Sequence, residues 1–156
     1  MSPFRTILVP HDFSPYSDAA VALARQLVEL SEARLHLIHA VDVPRLHAVT
    51  PAGVVALSLP SVLAEGALLE AEDALRRVAD AARRGAVAVH VLEGTPTDVI
   101  CAVAAQLPAD LIVMGTHGRT GLAHVLLGSV AERTLRRAPC PVLTVRGAAA
   151  HESAGA

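Results

Sequence analysis

Two glycine-bearing turns late in the chain have residue types and a spacing that suit a phosphate group. The tetrapeptide Gly-Thr-His-Gly at 115–118 directly follows an apolar run, and a Gly-Ser pair at 128–129 comes after nine further residues. Glycine lets the main chain approach a ligand closely and adopt positive φ. A helix that begins after the second turn adds unpaired N–H groups and the positive end of its dipole. The pattern predicts a nucleotide-binding site, whose candidate residues in this region are Gly115, Thr116, His117, Gly118, Arg119, Gly128, Ser129 and Val130.

The same residues also have structural explanations. Gly115 and Gly118 fit turns without a ligand, and Arg119 fits a solvated loop. Ser129 with Glu132 forms a capping-box pattern, in which the serine hydroxyl serves the helix. The length of the segment favours a ligand, because twelve residues separate its first glycine from its last and long ordered loops in compact domains are usually functional. Both readings are compatible, since a phosphate can use free amides while the hydroxyl caps the helix or turns toward the ligand.

Asp12 is the second candidate, because it directly follows a continuous apolar run that predicts a strand buried on both faces. Its carboxylate could accept hydrogen bonds from ribose or adenine, or share a metal ion with phosphates. The alternative is an Asx-type loop residue that stabilises its own turn. This first loop contains no glycine, which excludes the dinucleotide fingerprint G-x-G-x-x-G. His11 and His117 are further candidates for hydrogen bonds at the site.

The composition favours one kind of fold and argues against several kinds of binding site. A chain of 156 residues predicts one domain, and 53% of its residues are hydrophobic although only Phe4, Phe13 and Tyr16 are aromatic. An aliphatic core of this kind fits an α/β domain. A formal charge of −2 and the scarcity of aromatic rings argue against a nucleic-acid partner. All 13 cationic side chains are arginine, and the absence of lysine excludes a Walker-type P-loop.

Metal-centre, membrane and catalytic patterns are absent from the sequence. Cys101 and Cys140 suggest neither a disulfide framework nor a zinc site, and His36, His39 and His90 are better explained as strand residues. No spacing nominates a nucleophile with its base, so the chain is not expected to be an enzyme. No stretch is long and apolar enough to span a bilayer, and no signal-like N-terminus is present, so a cytoplasmic location and no membrane partner are expected.

Strand-like runs and helical patterns alternate along the chain. Strands are predicted at 6–9, 35–41, 87–92, 110–114 and 141–145. Helices are predicted after the Ser14-Pro15 start signal, over 61–84 with Gly85 closing it, after a hydroxyl cap at Thr95, and over 130–137. The connection at 42–59 is longer than usual, and we interpret it as a lid or an oligomer contact. Residues 1–147 are expected to form the domain, with 148–156 as a disordered tail.

Five strands with helical crossovers predict a three-layer, doubly wound parallel sheet. Ligands in such sheets bind beyond the carboxyl ends of the strands, where the strand order reverses. An order of 3-2-1-4-5 would bring the Asp12 loop beside the Gly115 loop, whereas 2-1-3-4-5 would place the loop at 93–95 there. The positions of the motifs favour the first order.

The segment GTHGRTGLAHVLLGSVAERTLRRAPCPVLTVR resembles the signature of the universal stress protein family in its ATP-binding branch, with the spacing G-x-x-G-x9-G-[ST]. The run ILVPHDFS at 7–14 is similar to the family's first strand and its aspartate, and the resemblance covers nearly all of 4–146. It implies the adenine nucleotide alpha hydrolase-like (Rossmann-like) fold with order 3-2-1-4-5. It also implies ATP, or AMP or ADP, with Mg²⁺ or Mn²⁺ bound through the phosphates. Pro10, Asp12 and Val41 would line the adenine and ribose end, with Met114 nearby.

The last strand, Val142 to Val145, would leave an exposed sheet edge, and pairing it with a second copy would remove that hazard. The resemblance implies the same homodimer, whereas Pro139, Pro141 and the tail could instead blunt the edge.

The sequence leaves three candidate functions for this protein. They are an ATP-binding regulatory homodimer of the stress response, a dimeric interaction module without nucleotide, and a slow ATP-hydrolysing enzyme.

Overall fold

The computed structural model describes residues 4–42, 46–57, 61–82, 87–117 and 127–146. Strands and helices alternate along these residues as the sequence predicts, with one additional hairpin. The strands are β1 Thr6–Pro10, β2 Arg34–Val41, β3 Leu46–Thr50, β4 Gly53–Leu57, β5 Val87–Glu93, β6 Leu111–Gly115 and β7 Val142–Val145. The helices are α1 Pro15–Ser31, α2 Ser61–Ala81, α3 Pro96–Gln106 and α4 Ser129–Arg137.

Five of the strands form one parallel sheet in the order β5-β2-β1-β6-β7. Counted along the chain without the hairpin, this is the predicted order 3-2-1-4-5, and the adenine nucleotide alpha hydrolase-like fold is confirmed. The chain moves outward from β1 to β2 and β5, then returns to the other side of β1 with β6. The order therefore reverses between β1 and β6, so the loops that follow these two strands open on one crevice.

The two faces of the sheet bury separate aliphatic clusters, because alternate residues of a strand point to opposite sides. On one face Ile7 and Val9 pack with residues of α1 and with Leu75 of α2. On the other face Leu8 and Ile112 pack against α3 and α4. Helices thus cover both faces, which gives the three layers expected for a doubly wound sheet.

Most of the long connection at 42–59 forms an antiparallel hairpin, which the sequence analysis did not predict. β3 and β4 pair from Leu46 opposite Leu57 to Thr50 opposite Gly53. Gly53 has φ of 125°, a value that favours glycine and lets the chain reverse after Pro51. Valine on both sides of the turn and threonine before it favour strands, and this β propensity is the signal that the sequence analysis overlooked. A role for this hairpin as a lid or an oligomer contact stays a prediction.

One predicted helix cap is wrong, and a second is confirmed in its position only. Helix α4 begins at Ser129 with Gly128 as its N-cap, so Ser129 is the first helical residue and the capping box with Glu132 does not form. Thr95 is the N-cap of α3 as predicted, but its hydroxyl donates to the Asp98 carboxylate at 2.5 Å and makes no cap hydrogen bond to the backbone. Helix α2 ends at Ala81, three residues before its predicted end, and the predicted closing residue Gly85 lies outside the described residues.

The packing of α1 against β6 requires glycine at position 115. A Cβ on this residue would lie 2.8 Å from the Cβ of Tyr16 and 2.9 Å from the carbonyl carbon and oxygen of Tyr16. The first turn of α1 therefore sits directly against the end of β6. Because two of these three atoms belong to the backbone, a rotamer change cannot relieve the overlap.

We predict that Gly115→Ala lowers the free energy of unfolding by about 1–3 kcal/mol, the usual cost of overpacking. Gly66→Ala is the matched control, since Gly66 lies inside α2 and a Cβ there meets nothing within 4 Å. This control should raise stability by about 0.5–1 kcal/mol. Urea unfolding followed by circular dichroism measures both, and equal effects of the two variants would contradict the close approach of α1 to β6.

Candidate functional site

A cavity of about 530 Å³ lies at the carboxyl edge of the sheet, where the loops after β1 and β6 meet. Its walls come from the ends of β1, β2 and β6 and from the N-terminal turns of α3 and α4. This is the crevice that the reversal of strand order creates. Its volume lies within the usual range for small-ligand sites, about 300–1,000 Å³.

The structure brings most of the predicted site residues together around this cavity. Nine of them line it, namely Pro10, Asp12, Met114, Gly115, Thr116, His117, Gly128, Ser129 and Val130. Val41 is not among the lining residues, although its neighbours Ala40 and Asp42 are. The Val41 carbonyl instead accepts a hydrogen bond from the Gly94 amide at 3.0 Å. Gly118 and Arg119 lie outside the described residues, and binding by any of these residues stays a prediction.

The Asp12 carboxylate is held at the cavity by the start of α1. Its Oδ1 accepts hydrogen bonds from the Ser14 amide at 3.1 Å and from the Ser14 hydroxyl at 2.5 Å. Burial alone would raise the pKa of this carboxyl, but the hydrogen bonds from Ser14 and Ser17 outweigh it and hold the pKa below its ordinary value. Asp12 thus forms the Asx-type turn that the sequence offered as an alternative and also presents a charged carboxylate to the cavity.

The loop after β1 is fixed by a cluster of two histidines and Phe13. The His11 Nδ1 accepts a hydrogen bond from the Phe13 amide at 3.2 Å, so the proton is on Nε2, which donates to Asp18 at 3.0 Å. The His39 Nδ1 donates to the His11 carbonyl at 2.7 Å. Phe13 has φ of 63° and packs its ring against both histidine rings. A left-handed conformation is uncommon for such a residue and marks this turn as a constrained one.

The N-terminus of α4 opens into the cavity opposite this loop. The Gly128 amide donates to the Thr116 carbonyl at 2.6 Å, and the Thr116 amide donates to the Val145 carbonyl at 2.9 Å. These two bonds fix the position of the helix start and remove the Gly128 amide from the donors available to a ligand. The amides of Ser129 and Val130 belong to the first helical turn and have no intrahelical acceptor. Both residues line the cavity, so two N–H groups and the helix dipole act on it.

Sequence reasoning missed the wall made by β2 and α3. Ile38, Ala40, Pro96 and Ile100 supply much of the apolar lining, and Asp42 adds a carboxylate next to them. Parallel pairing of β2 with β1 and the position of α3 over β2 bring these residues to the crevice. The sequence did carry a weak signal for the α3 residues, since Pro96 marks a helix start that faces the same edge of the sheet.

His11 lies at the cavity with its imidazole fully engaged. Both ring nitrogens of His11 are engaged, so this buried imidazole is not placed to act as a base toward a ligand.

Across the described ranges, no group of three or more histidine, cysteine, aspartate or glutamate residues is arranged to hold a metal ion. The described part of the chain also contains no helix long and apolar enough to cross a membrane.

The buried His11 gives a testable pH dependence. Burial lowers its pKa from the ordinary 6.5, against the opposing effect of Asp18, so the folded protein takes up this proton less readily than the unfolded chain. The free energy of unfolding should therefore fall as the pH drops from 6.5 to the lowered value. We predict that His11→Gln reduces the slope of stability against pH in this window, measured by urea unfolding. A slope identical to that of the parent protein would contradict the prediction.

Comparison with known proteins places this architecture in a family. Residues 3–146 match the model of the universal stress protein family. The chain is 37% identical over 145 residues to universal stress protein MJ0531 of Methanocaldococcus jannaschii, covering 92% of this chain and 82% of that protein. The structure of UspA from Lactobacillus plantarum superposes with a TM-score of 0.73 at 32% identity, covering 91% and 97% of the two chains. A universal stress protein crystallised in complex with cAMP superposes with a TM-score of 0.61 at 29% identity, covering 92% and 98%. The protein belongs to the universal stress protein family.

Proposed function

We propose that this protein is a regulatory homodimer of the stress response, located in the cytoplasm, that binds ATP at the carboxyl edge of its sheet. The observation that carries the proposal is the start of α4, where Ser129 and Val130, whose amides have no intrahelical acceptor, line a cavity large enough for a nucleotide. The nucleotide state would change the surface that the protein presents to its partners.

The two sides of the cavity suit the two ends of a nucleotide. The apolar wall of Ile38, Ala40 and Ile100 offers a surface for an adenine ring. The Asp12 carboxylate, which also lines the cavity, would accept hydrogen bonds from ribose hydroxyls. The phosphates would then extend toward the amides of α4.

A divalent cation fits this arrangement. Asp12 and Asp42 place carboxylate oxygens at the cavity, and such hard ligands suit Mg²⁺ or Mn²⁺. Because no larger set of protein ligands is present among the described residues, most of the coordination would come from the phosphates and water. The cation would neutralise phosphate charge beside the carboxylates, while the amides of α4 orient the phosphate group.

A relative supports the nucleotide class without fixing its identity. The structural neighbour in complex with cAMP shows that this fold accommodates an adenine nucleotide in that protein. ATP is our first choice for this chain, and AMP, ADP and cAMP are the ligands to compare with it. Steady ATP turnover that Asp12→Ala abolishes would favour a slow hydrolase instead. Absence of any thermal shift with these four nucleotides would favour an interaction module.

The backbone donors of α4 can be tested by deleting one amide without breaking the helix. Ser129→Pro removes the N–H of the first helical position, where proline is well tolerated, and the extended Gly128 with ψ of 155° suits a residue that precedes proline. A hydrogen bond to a charged group contributes about 1.5–3 kcal/mol, so the Kd for ATP should rise about tenfold or more. Isothermal titration calorimetry in the presence of Mg²⁺ measures the change.

Ser129→Ala is the matched control, because it removes the hydroxyl and keeps the amide. We expect this variant to bind ATP within about threefold of the parent protein, since exposed hydroxyl contacts are weak. Equal affinity of the parent, Ser129→Pro and Ser129→Ala proteins would show that the α4 amides do not hold the phosphate.

The proposed dimer uses the outer edge of β7. Carbonyls of Pro141 and Val145 accept hydrogen bonds from Ile112 and Thr116, so alternate residues of β7 point toward β6. By the same alternation the N–H and C=O groups of Val142 and Thr144 point outward from the sheet. Leu143 is also 38% exposed, which leaves an apolar side chain at this edge. An unprotected edge of this kind favours pairing with a second copy about a two-fold axis.

We predict that Thr144→Pro converts the dimer to a monomer. Proline removes one outward N–H and is tolerated where the N–H faces away from the neighbouring strand, so the β6–β7 ladder is preserved. Thr144→Ala is the control and should remain dimeric. Sedimentation velocity gives the oligomeric state, and circular dichroism confirms the fold. A Thr144→Pro protein that stays dimeric would contradict pairing through β7.

A further inference from the structure

His36 of β2 and His90 of β5 form a pair outside the nucleotide cavity. His90 stands beside Ile38 in the parallel register, so the two histidines lie on the same face of adjacent strands. This is the face that α3 and α4 cover farther along the sheet, as Ile38 packs with α3. β5 is an edge strand of the sheet, at the opposite edge from β7, and both histidines are half-buried.

The two imidazoles meet edge to edge. The His36 Nδ1 lies 3.0 Å from the His90 Nε2. The ring planes differ by only 17° and the ring centroids are 5.3 Å apart, which is beyond the roughly 3.5–4 Å of face-to-face atomic contact. The contact is therefore one hydrogen bond in which one ring donates and the other accepts. Two ring nitrogens thus face each other on a half-exposed sheet face.

We propose that His36 and His90 form a two-histidine site for a divalent transition-metal ion of the Cu²⁺ or Ni²⁺ type. His36 Nδ1 and His90 Nε2 would be the ligands, with water in the remaining positions. The metal replaces the shared proton between the rings, and that proton moves to the outer nitrogen of the same ring. Binding to the neutral pair therefore needs no net loss of protons.

The type of ligand indicates the class of metal. The 3.0 Å between the two nitrogens is the length of their hydrogen bond, so an ion enters only when this bond breaks and the rings rotate. Imidazole ligands and square-planar or tetragonal geometry are typical of Cu²⁺ and Ni²⁺, and Cu²⁺ binds most tightly in the divalent series. Rotation of the half-exposed rings would aim both lone pairs at the ion.

Burial of the two histidines and the charge of Arg34 have opposite effects on the binding of a cation. Burial lowers the pKa of both imidazoles, and for His36 the neighbouring His90 and Arg34 lower it further. Neutral imidazoles offer their lone pairs without competition from protons at neutral pH. Arg34 lies two residues before His36 on the same face of β2, so its positive charge weakens cation binding. This effect supplies a second, independent test.

The experiment titrates the full, nucleotide-free chain with CuCl₂ and, separately, NiCl₂ at pH 7.5. Calorimetry should show one equivalent of Cu²⁺, and its electron paramagnetic resonance spectrum should show two nitrogen ligands. His36→Gln and His90→Gln should each weaken Cu²⁺ binding by about tenfold or more, because each removes one of two protein ligands. Arg34→Gln should strengthen Cu²⁺ binding by about twofold or more.

His47→Gln in β3 is the matched control and should bind Cu²⁺ like the parent protein. Circular dichroism and the Kd for ATP should be unchanged in the His36 and His90 variants, which separates this site from the proposed nucleotide site. Cu²⁺ affinity that is the same in the parent, His36→Gln and His90→Gln proteins would overturn the proposal. A spectrum with a single nitrogen ligand would overturn it as well.

Discussion

The architecture of the site follows from the point where the order of the parallel strands reverses. The chain leaves β1 in one direction and returns to its other side with β6, so the helices that follow these strands cover opposite faces of the sheet. The described residues leave a cavity between the carboxyl ends of these two strands. The contact of Gly115 with the Tyr16 backbone sets the separation between α1 and β6 at that gap. Gly115, which lines the cavity, thus lets α1 pack closely against the end of β6.

The loop after β1 is rigid for reasons that do not depend on a ligand. Its backbone continues the β1–β2 ladder through the His11 amide, which donates to the Ile38 carbonyl at 2.8 Å. Asp12 is fixed by Ser14, and Phe13 is clamped between two imidazoles. A carboxylate held in this way loses little conformational entropy when it meets a ligand. The structural role of Asp12 and its proposed binding role therefore support each other.

The sequence predicted the sheet well because its signals are local and strong. Buried parallel strands are continuous apolar runs, and the Ser14-Pro15 pair marks the start of α1 as the structure has it. The wrong cap at α4 occurred where two local signals competed. Ser129 and Gly128 are both acceptable N-caps, and the hydrogen bond from the Gly128 amide to Thr116, a tertiary contact, decides for Gly128. The β2 and α3 walls were missed because only the fold brings residues so distant in sequence together.

This one-residue shift at α4 changes the chemistry of the cavity. With Gly128 as the cap, the Ser129 hydroxyl does not serve the helix, and the Ser129 amide becomes the first orphan donor. Such donors matter in this chain because it has no lysine, and the described cavity lining contains two carboxylates and no arginine. An anion would enter a region of negative charge unless neutral donors and a bound cation offset the repulsion. Backbone amides meet this need without adding a side chain that would fill the cavity, and the helix dipole strengthens them. Under the proposed function, the exposed start of α4 is thus the feature that would allow a cavity with acidic walls to accept a phosphate.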